Sequence, residues 1–323
     1  MSVNVALGSA TFGVFLPAYA FQNQNLKPSQ TLFSRILDVV LECERLGYDS
    51  VWLDDHLMYR NNPLLECWTT LSAIAAATNH LRLGTMVTCN GFRNPALLAK
   101  MAATVDVISG GRLDFGVGAG VQQQEHEAYG FAFPTTPQRV ERLAETLEIV
   151  KALWTKPEVT FVGKHFQVAN AVCEPKPLQM PHPRIIVGGG GEKYTLKVTA
   201  KYADRLDFGY QPLDLYKHKL HVLEAYCQAL GRSFVSLEKS CWPTGQIILC
   251  SNQTELDHKL QKLMPDGVSR KAFEKFSYVG TPGGVGAMLQ PYLDLGVTHF
   301  MLFFGDLPDL GSLRLFAESV SET

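Results

Sequence analysis

Two short segments of this sequence carry residue types that could do chemistry. The first is Asp54-Asp55-His56, two carboxylates and an imidazole in a row, and the second is the run Gly188-Gly-Gly-Gly191. An imidazole exchanges a proton near neutral pH, so His56 is a candidate acid or base, although a histidine satisfied by a carboxylate has the same pattern. Four successive residues without Cβ let backbone N–H groups approach an anion closely. A helix beginning near Glu192 would add unpaired donors and the positive end of its dipole, which makes a phosphate site. Lys193 and Lys197 stand in the first turns as counter-charges. A flexible turn would have the same composition, so the elements around it must decide.

Those elements alternate. The apolar run Phe12 to Pro17 reads as a strand, and Thr31 to Leu46 places Leu32, Ile36, Leu37, Val40 and Leu41 on one helical face, with Gly47 as its C′ glycine. Ser50-Val-Trp-Leu-Asp-Asp-His56 is a second strand, with its polar residues at the C-terminal end and Trp52 assigned to the core. A helix from Pro63 to Thr78 leads to a third strand, Leu81 to Thr88. Asn94-Pro95 supplies an N-cap and an N1 proline for a helix to Ser109, and Leu113 to Gly120 is the fourth strand. Thr136-Pro137 opens a helix through Trp154, and Val159 to Val168 reads as a hairpin around Gly163-Lys164.

The glycine run ends a fifth strand. Arg205 to Gly209, Gly245 to Cys250 and Thr298 to Phe304 give the sixth, seventh and eighth. Helices over Leu215–Leu230, Glu255–Met264 and, after the cap Thr281-Pro282, Gly283–Leu295 lie between them. Eight strands in series with intervening helices, no linker and no repeat, are expected to close as one (β/α)8 barrel spanning residues 1–323, with insertions after strand four and near strand seven. An open doubly wound sheet is the alternative, disfavoured because its phosphate turn belongs after strand one. In a barrel the active site lies at the C-terminal strand ends, which brings Asp54 to His56, Thr85 to Thr88, Gly116 to Gly120 and the glycine run to one mouth.

Composition narrows the partners. A net charge of −2 with scattered Lys and Arg gives no basic stripe for a nucleic acid. Seven cysteines without a C-x-x-C pair fit buried thiols of a reducing, cytoplasmic setting and offer no metal site. No apolar run approaches the ~20 residues of a membrane span.

Several segments in register resemble a known family. Leu46-Gly-Tyr-Asp-Ser-Val-Trp-Leu-Asp-Asp-His56, Leu83-Gly-Thr-Met-Val-Thr88, Arg93-Asn-Pro-Ala-Leu-Leu-Ala-Lys-Met-Ala-Ala103, Ser109 to Gly120, Glu125-His-Glu-Ala-Tyr-Gly130 and Gly188 to Lys193 are similar to the luciferase-like monooxygenase superfamily, most closely its coenzyme F420-dependent oxidoreductases. The resemblance runs from Phe12 to Asp207 and resumes from Tyr278 to Gly305. It implies a barrel of the bacterial luciferase type that binds coenzyme F420, with FMN as the alternative, and moves hydride to or from a small organic substrate. The other readings are an FMN-dependent monooxygenase and a barrel that binds a flavin without catalysis.

Residue by residue, the resemblance makes His56 a proton donor beside the reacting ring and Asp55 a cofactor ligand. It joins Met86 and Val87 by a non-prolyl cis peptide behind the ring, next to Thr85. Ala119, Gly120 and Gln124 become ring- or hydroxyl-contacting positions, and Gly188, Gly189, Gly190, Gly191 and Lys193 the phosphate cradle. Two departures stand out. Val121 occupies a position where some relatives have an acid, and Arg205-Leu-Asp-Phe208 replaces the Gly-Trp-Asn that many carry, so the substrate side is expected to be atypical. His126 and Tyr129 are expected on an exposed segment. Apolar helix faces between Pro63 and Ala77 and between Pro95 and Val107, with the family habit, point to a homodimer.

Overall fold

The computed structural model describes residues 10–17, 21, 28–59 and 63–321. Its elements begin β1 (Thr11–Leu16), α1 (Pro28–Arg45), β2 (Ser50–Leu53), α2 (Cys67–Ala77), β3 (Arg82–Thr85), β4 (Thr88–Cys89), α3 (Pro95–Ile108) and β5 (Leu113–Gly118). An excursion follows, with α4 (Gln123–Ala128), α5 (Thr136–Thr155) and the antiparallel pair β6 (Val159–Val162) and β7 (Gln167–Ala171). The chain continues through β8 (Arg184–Gly188), α6 (Thr195–Tyr202), β9 (Arg205–Asp207), α7 (Leu213–Ala229) and β10 (Glu238–Cys241). The last part holds β11 (Gln246–Leu249), α8 (Gln253–Leu263), α9 (Arg270–Phe273), β12 (Ser277–Gly280), α10 (Val285–Leu293), β13 (His299–Leu302) and α11 (Gly311–Ser321).

Parallel pairing runs β3-β2-β1-β13-β10-β9-β8-β5, and a β3–β5 ladder closes the ring, so the described residues form an eight-stranded TIM barrel. β4 extends the wall beside β5 at the C-terminal mouth. Local chemistry explains several boundaries. The Asn94 side chain accepts from the N–H groups of Ala96 and Leu97, with Pro95 at N1, as expected for α3. The Glu66 carboxylate accepts from Thr69 N and starts α2 later than the apolar pattern suggests.

One strand assignment is corrected. The seventh barrel strand is β10, and Gln246–Leu249 instead pairs with β12 in a separate two-stranded sheet. The sequence Glu238-Lys-Ser-Cys241 hides the barrel strand because it lacks an apolar run, and Ser240 is buried by hydrogen bonding rather than by apolar packing. The apolar run lies instead in β11, outside the ring, with Ile247 and Leu249 buried in the main core and Ile248 in a small satellite core with Leu256, Leu260 and Phe273. A second correction concerns the helix after the glycine run, which starts at Thr195 rather than near Glu192.

Inside the barrel, side chains from alternate positions stack toward the mouth. Trp52, fully buried, packs with Phe15, Ile186 and Met301, and it has room because a Cβ on Gly84 would fall 2.1 Å from its ring. Below it Asp114 pairs with Arg82 at 2.5 Å and Arg184 at 3.3 Å. The α2 residues Trp68, Leu71, Ile74 and Ala75 are all buried within this chain, so that apolar face needs no second copy. All seven cysteines are free and buried, and no described helix is long and apolar enough to cross a membrane.

Candidate active site

The C-terminal mouth opens on a cavity of about 310 Å³. Asp55, His56, Met86, Val87, Ala119, Gly120, Gly188 and Gly189, all singled out from the sequence, line it together with Cys89, Gln122, Glu125, His126, Asp207, Phe208, Gly209 and Trp242. Thr85 and Gln124 lie off it. The Thr85 hydroxyl donates to Gly116 O at 2.6 Å, and Gln124 is exposed on α4. Gly190, Gly191 and Lys193 also lie off it, on the glycine turn and its exposed continuation.

The floor is set by a cis peptide between Met86 and Val87 at the end of β3. Val87 presses its methyl groups onto the neighbouring strand ends, where a Cβ on Gly118 would lie 2.7 Å and one on Gly188 2.6 Å from them. Only glycine fits at those two places, which leaves a smooth bed for a flat ligand.

The two residues Asp55 and His56 diverge, as expected of neighbours leaving an extended strand. The His56 Nδ1 lies 3.0 Å from Glu125 Oε2, while Glu125 Oε1 accepts from Leu57 N and, at 3.0 Å, from Met58 N. A carboxylate surrounded by donors fixes the proton on Nδ1, which leaves Nε2 as the atom free to exchange a proton with a ligand. Asp55 faces the other way. Its Oδ2 accepts from Cys89 N at 2.8 Å and Arg93 Nη1 at 2.6 Å, and its Oδ1 accepts from Arg93 Nη2 at 2.9 Å. Both oxygens therefore take donors within the protein and Arg93 neutralises the charge, so Asp55 anchors the wall of the cavity it lines. Burial raises the Asp55 carboxyl, with Arg93 pulling against it. Burial opposes the Arg93 charge, but its bonds to Asp55 and Glu66 prevail and hold it protonated.

His126 is corrected too. It is buried, its Nδ1 donates to Gln122 O at 2.8 Å, and its ring packs against Phe92 and Phe133. Its Nε2 lies 3.5 Å from the Cys89 Sγ. Burial pushes that thiol up to about 12, so it is an inert thiol rather than a nucleophile. Tyr129 is exposed and donates to Leu57 O at 3.0 Å.

At the glycine run, Gly189 N donates to Asp207 O, which leaves the N–H groups of Gly190 and Gly191 unclaimed among the described residues. A cation that sequence reasoning missed stands beside them. Lys219, from α7, donates from Nζ to Gly190 O at 2.6 Å and lies 3.4 Å from Glu192. Lys193 instead lies over the Tyr194 ring at 5.2 Å. Nothing in the spacing announces Lys219, 29 residues beyond Gly190. Glu125 sits in a motif the sequence displays, but its partner is 69 residues away.

The opposite wall holds Asp207. Gly209 N at 2.7 Å and Trp242 Nε1 at 3.0 Å donate to its Oδ1, and the Ser240 hydroxyl donates to Oδ2 at 2.7 Å. Ser240 Oγ is 3.2 Å from His299 Nδ1, whose other nitrogen is 3.2 Å from Ser50 Oγ. Burial raises the Asp207 carboxyl against the pull of these donors, and burial lowers the His299 pKa well below the ordinary value, keeping that ring neutral.

Residues 10–299 match the family described as luciferase-like monooxygenase. The chain belongs to that family. It is 31% identical over 305 residues to an F420-dependent glucose-6-phosphate dehydrogenase of Intrasporangium calvum, a match covering 83% of this chain and 87% of that one. A protein of the same description from Amycolatopsis mediterranei is 26% identical, with 84% and 88% covered. Among solved structures, an F420-dependent secondary alcohol dehydrogenase in complex with an F420-acetone adduct superposes with a TM-score of 0.77 at 22% identity, covering 96% of this chain and 99% of that one. That likeness shows the fold.

Proposed function

We propose that this luciferase-like barrel is a coenzyme F420-dependent oxidoreductase acting on a small organic substrate. The observation that carries the reading is His56, which lines a glycine-bedded cavity while Glu125 holds its Nδ1. The chain's similarity to F420-dependent dehydrogenases supports the choice of cofactor over FMN.

The residues present suit such a group. The bed formed by Val87, Gly118 and Gly188 accepts a flat ring, and the free N–H groups of Gly190 and Gly191 with Lys219 suit a phosphate. When bound, a deazaflavin supplies two-electron hydride transfer. His56 Nε2 holds or releases the matching proton, and Glu125 keeps the imidazole oriented. Asp55 and Arg93 anchor the β4 segment that carries Cys89 into the wall. Trp242 and Phe208 exclude water from the far side.

Fluorescence titration of the purified chain with coenzyme F420 and with FMN tests this. Micromolar binding of coenzyme F420 with weaker FMN is expected, and failure of both to bind at that concentration overturns the reading. A homodimer belongs to the same proposal, resting now on the exposed Leu97 and Ile108 of α3, and light scattering at a monomer's mass would end it.

A further inference from the structure

Three acids line the cavity, and they are not equivalent. Asp55 is neutralised by Arg93 and Glu125 faces His56, whereas the partners of Asp207 are an amide, an indole and a hydroxyl. The cation in the layer below, Arg205, pairs with Glu238 at 3.0 Å and Asp114 at 3.8 Å and acts on Asp207 through its charge alone, without a hydrogen bond. Among the described residues lining the cavity there is no lysine or arginine, and Lys219 lies off it against the glycine turn.

We propose that Asp207 makes this site select an uncharged, hydroxyl-bearing substrate over a phosphorylated one. The inference rests on the oxidoreductase reading and names its substrate class. A phosphate brought to this wall would lose its water without gaining a counter-ion, beside an acid. A hydroxyl gains instead, because a carboxylate offers about four acceptor sites and three are occupied here. Phe208 and Trp242 supply the apolar contact for the body of such a molecule. Specificity then comes from what the wall rejects as much as from what it holds.

The network allows a clean test, because Asp207→Asn can be absorbed without unfolding. The amide oxygen keeps Gly209 N and Trp242 Nε1, and the amide nitrogen donates to Ser240. Ser240 then turns its hydrogen to His299 Nδ1, and the ring takes the tautomer whose Nε2–H faces Ser50. Cyclohexanol and cyclohexyl phosphate share one apolar body and differ in charge. Calorimetric titration of both is made on the full chain saturated with coenzyme F420 and again without it. The wild-type protein should bind the alcohol at least tenfold more tightly than the phosphate. Asp207→Asn, with unchanged melting and cofactor affinity, should shrink that ratio at least fivefold. Equal binding of the two probes, a ratio unmoved by Asp207→Asn, or binding of neither overturns the assignment. Loss of coenzyme F420 binding alone would strike the cofactor reading, while the ratio without cofactor would still report on Asp207.

Discussion

The two sides of the cavity are built on different principles. On the β2–β3–α4 side every charge is answered inside the protein: Asp55 by Arg93, Arg93 also by Glu66, and His56 by Glu125. On the β8–β9 side the groups toward the ligand are backbone N–H donors, Lys219 at the glycine turn, and an acid with only neutral partners. Ion pairs within a wall hold its side chains in one geometry, which suits a residue that must meet a reacting atom. Backbone donors and a lone acid leave capacity to be completed by a ligand, which suits recognition.

Breaking the self-paired side should therefore cost stability or rate, and breaking the other should change binding. The largest effect is expected from His56→Ala, which should lower turnover roughly 10²–10⁴-fold while leaving cofactor affinity nearly intact. Full turnover by this variant would return His56 to a packing role. Arg93→Ala leaves Asp55 buried without its counter-charge and should destabilise the fold by about 3–5 kcal/mol in urea unfolding, where a loss below 1 kcal/mol would show that the pair does not organise the wall. Asp55→Ala should act mainly in the same assay, since it removes the anion that Arg93 and Cys89 N bind.

Across the cavity, Lys219→Met should weaken coenzyme F420 binding roughly tenfold, the weight of one charge-assisted hydrogen bond, with little change in melting. Unchanged affinity would mean that Lys219 serves only Gly190 O and Glu192.

The smallest effect sharpens the contrast with a pair away from the cavity. Glu42 is lowered to about 2 by hydrogen bonds from Arg45 and Arg314, the latter tying α1 to α11. A carboxyl lowered on folding contributes stability that is present above its ordinary range and lost as pH falls through the folded value. Arg314→Ala should thus cost under about 1 kcal/mol at pH 7, with the gap from wild type closing between pH ~4.5 and 2. A gap that persists at pH 2 would assign the loss to packing.

By itself the sequence determined the alternation of elements, because hydrophobic period, caps and glycine stops act over a few residues. Asn94 with Pro95 set the start of α3, and the glycines at 116–120 and 188–191 marked the strand ends that had to bear the site. The tertiary structure decided everything that depends on ring closure. β10 was hidden because a strand whose inward residue is Ser240 hydrogen-bonds across the barrel and has no apolar signature, whereas β11 shows one while pairing outside the ring. Asp55 and His56 are adjacent in sequence, yet their partners, Arg93 and Glu125, come from the bend before α3 and from α4, 38 and 69 residues on. Side chains so far apart meet only when β2, β3 and β5 stand side by side, and no local propensity encodes which carboxylate will find a guanidinium and which an imidazole.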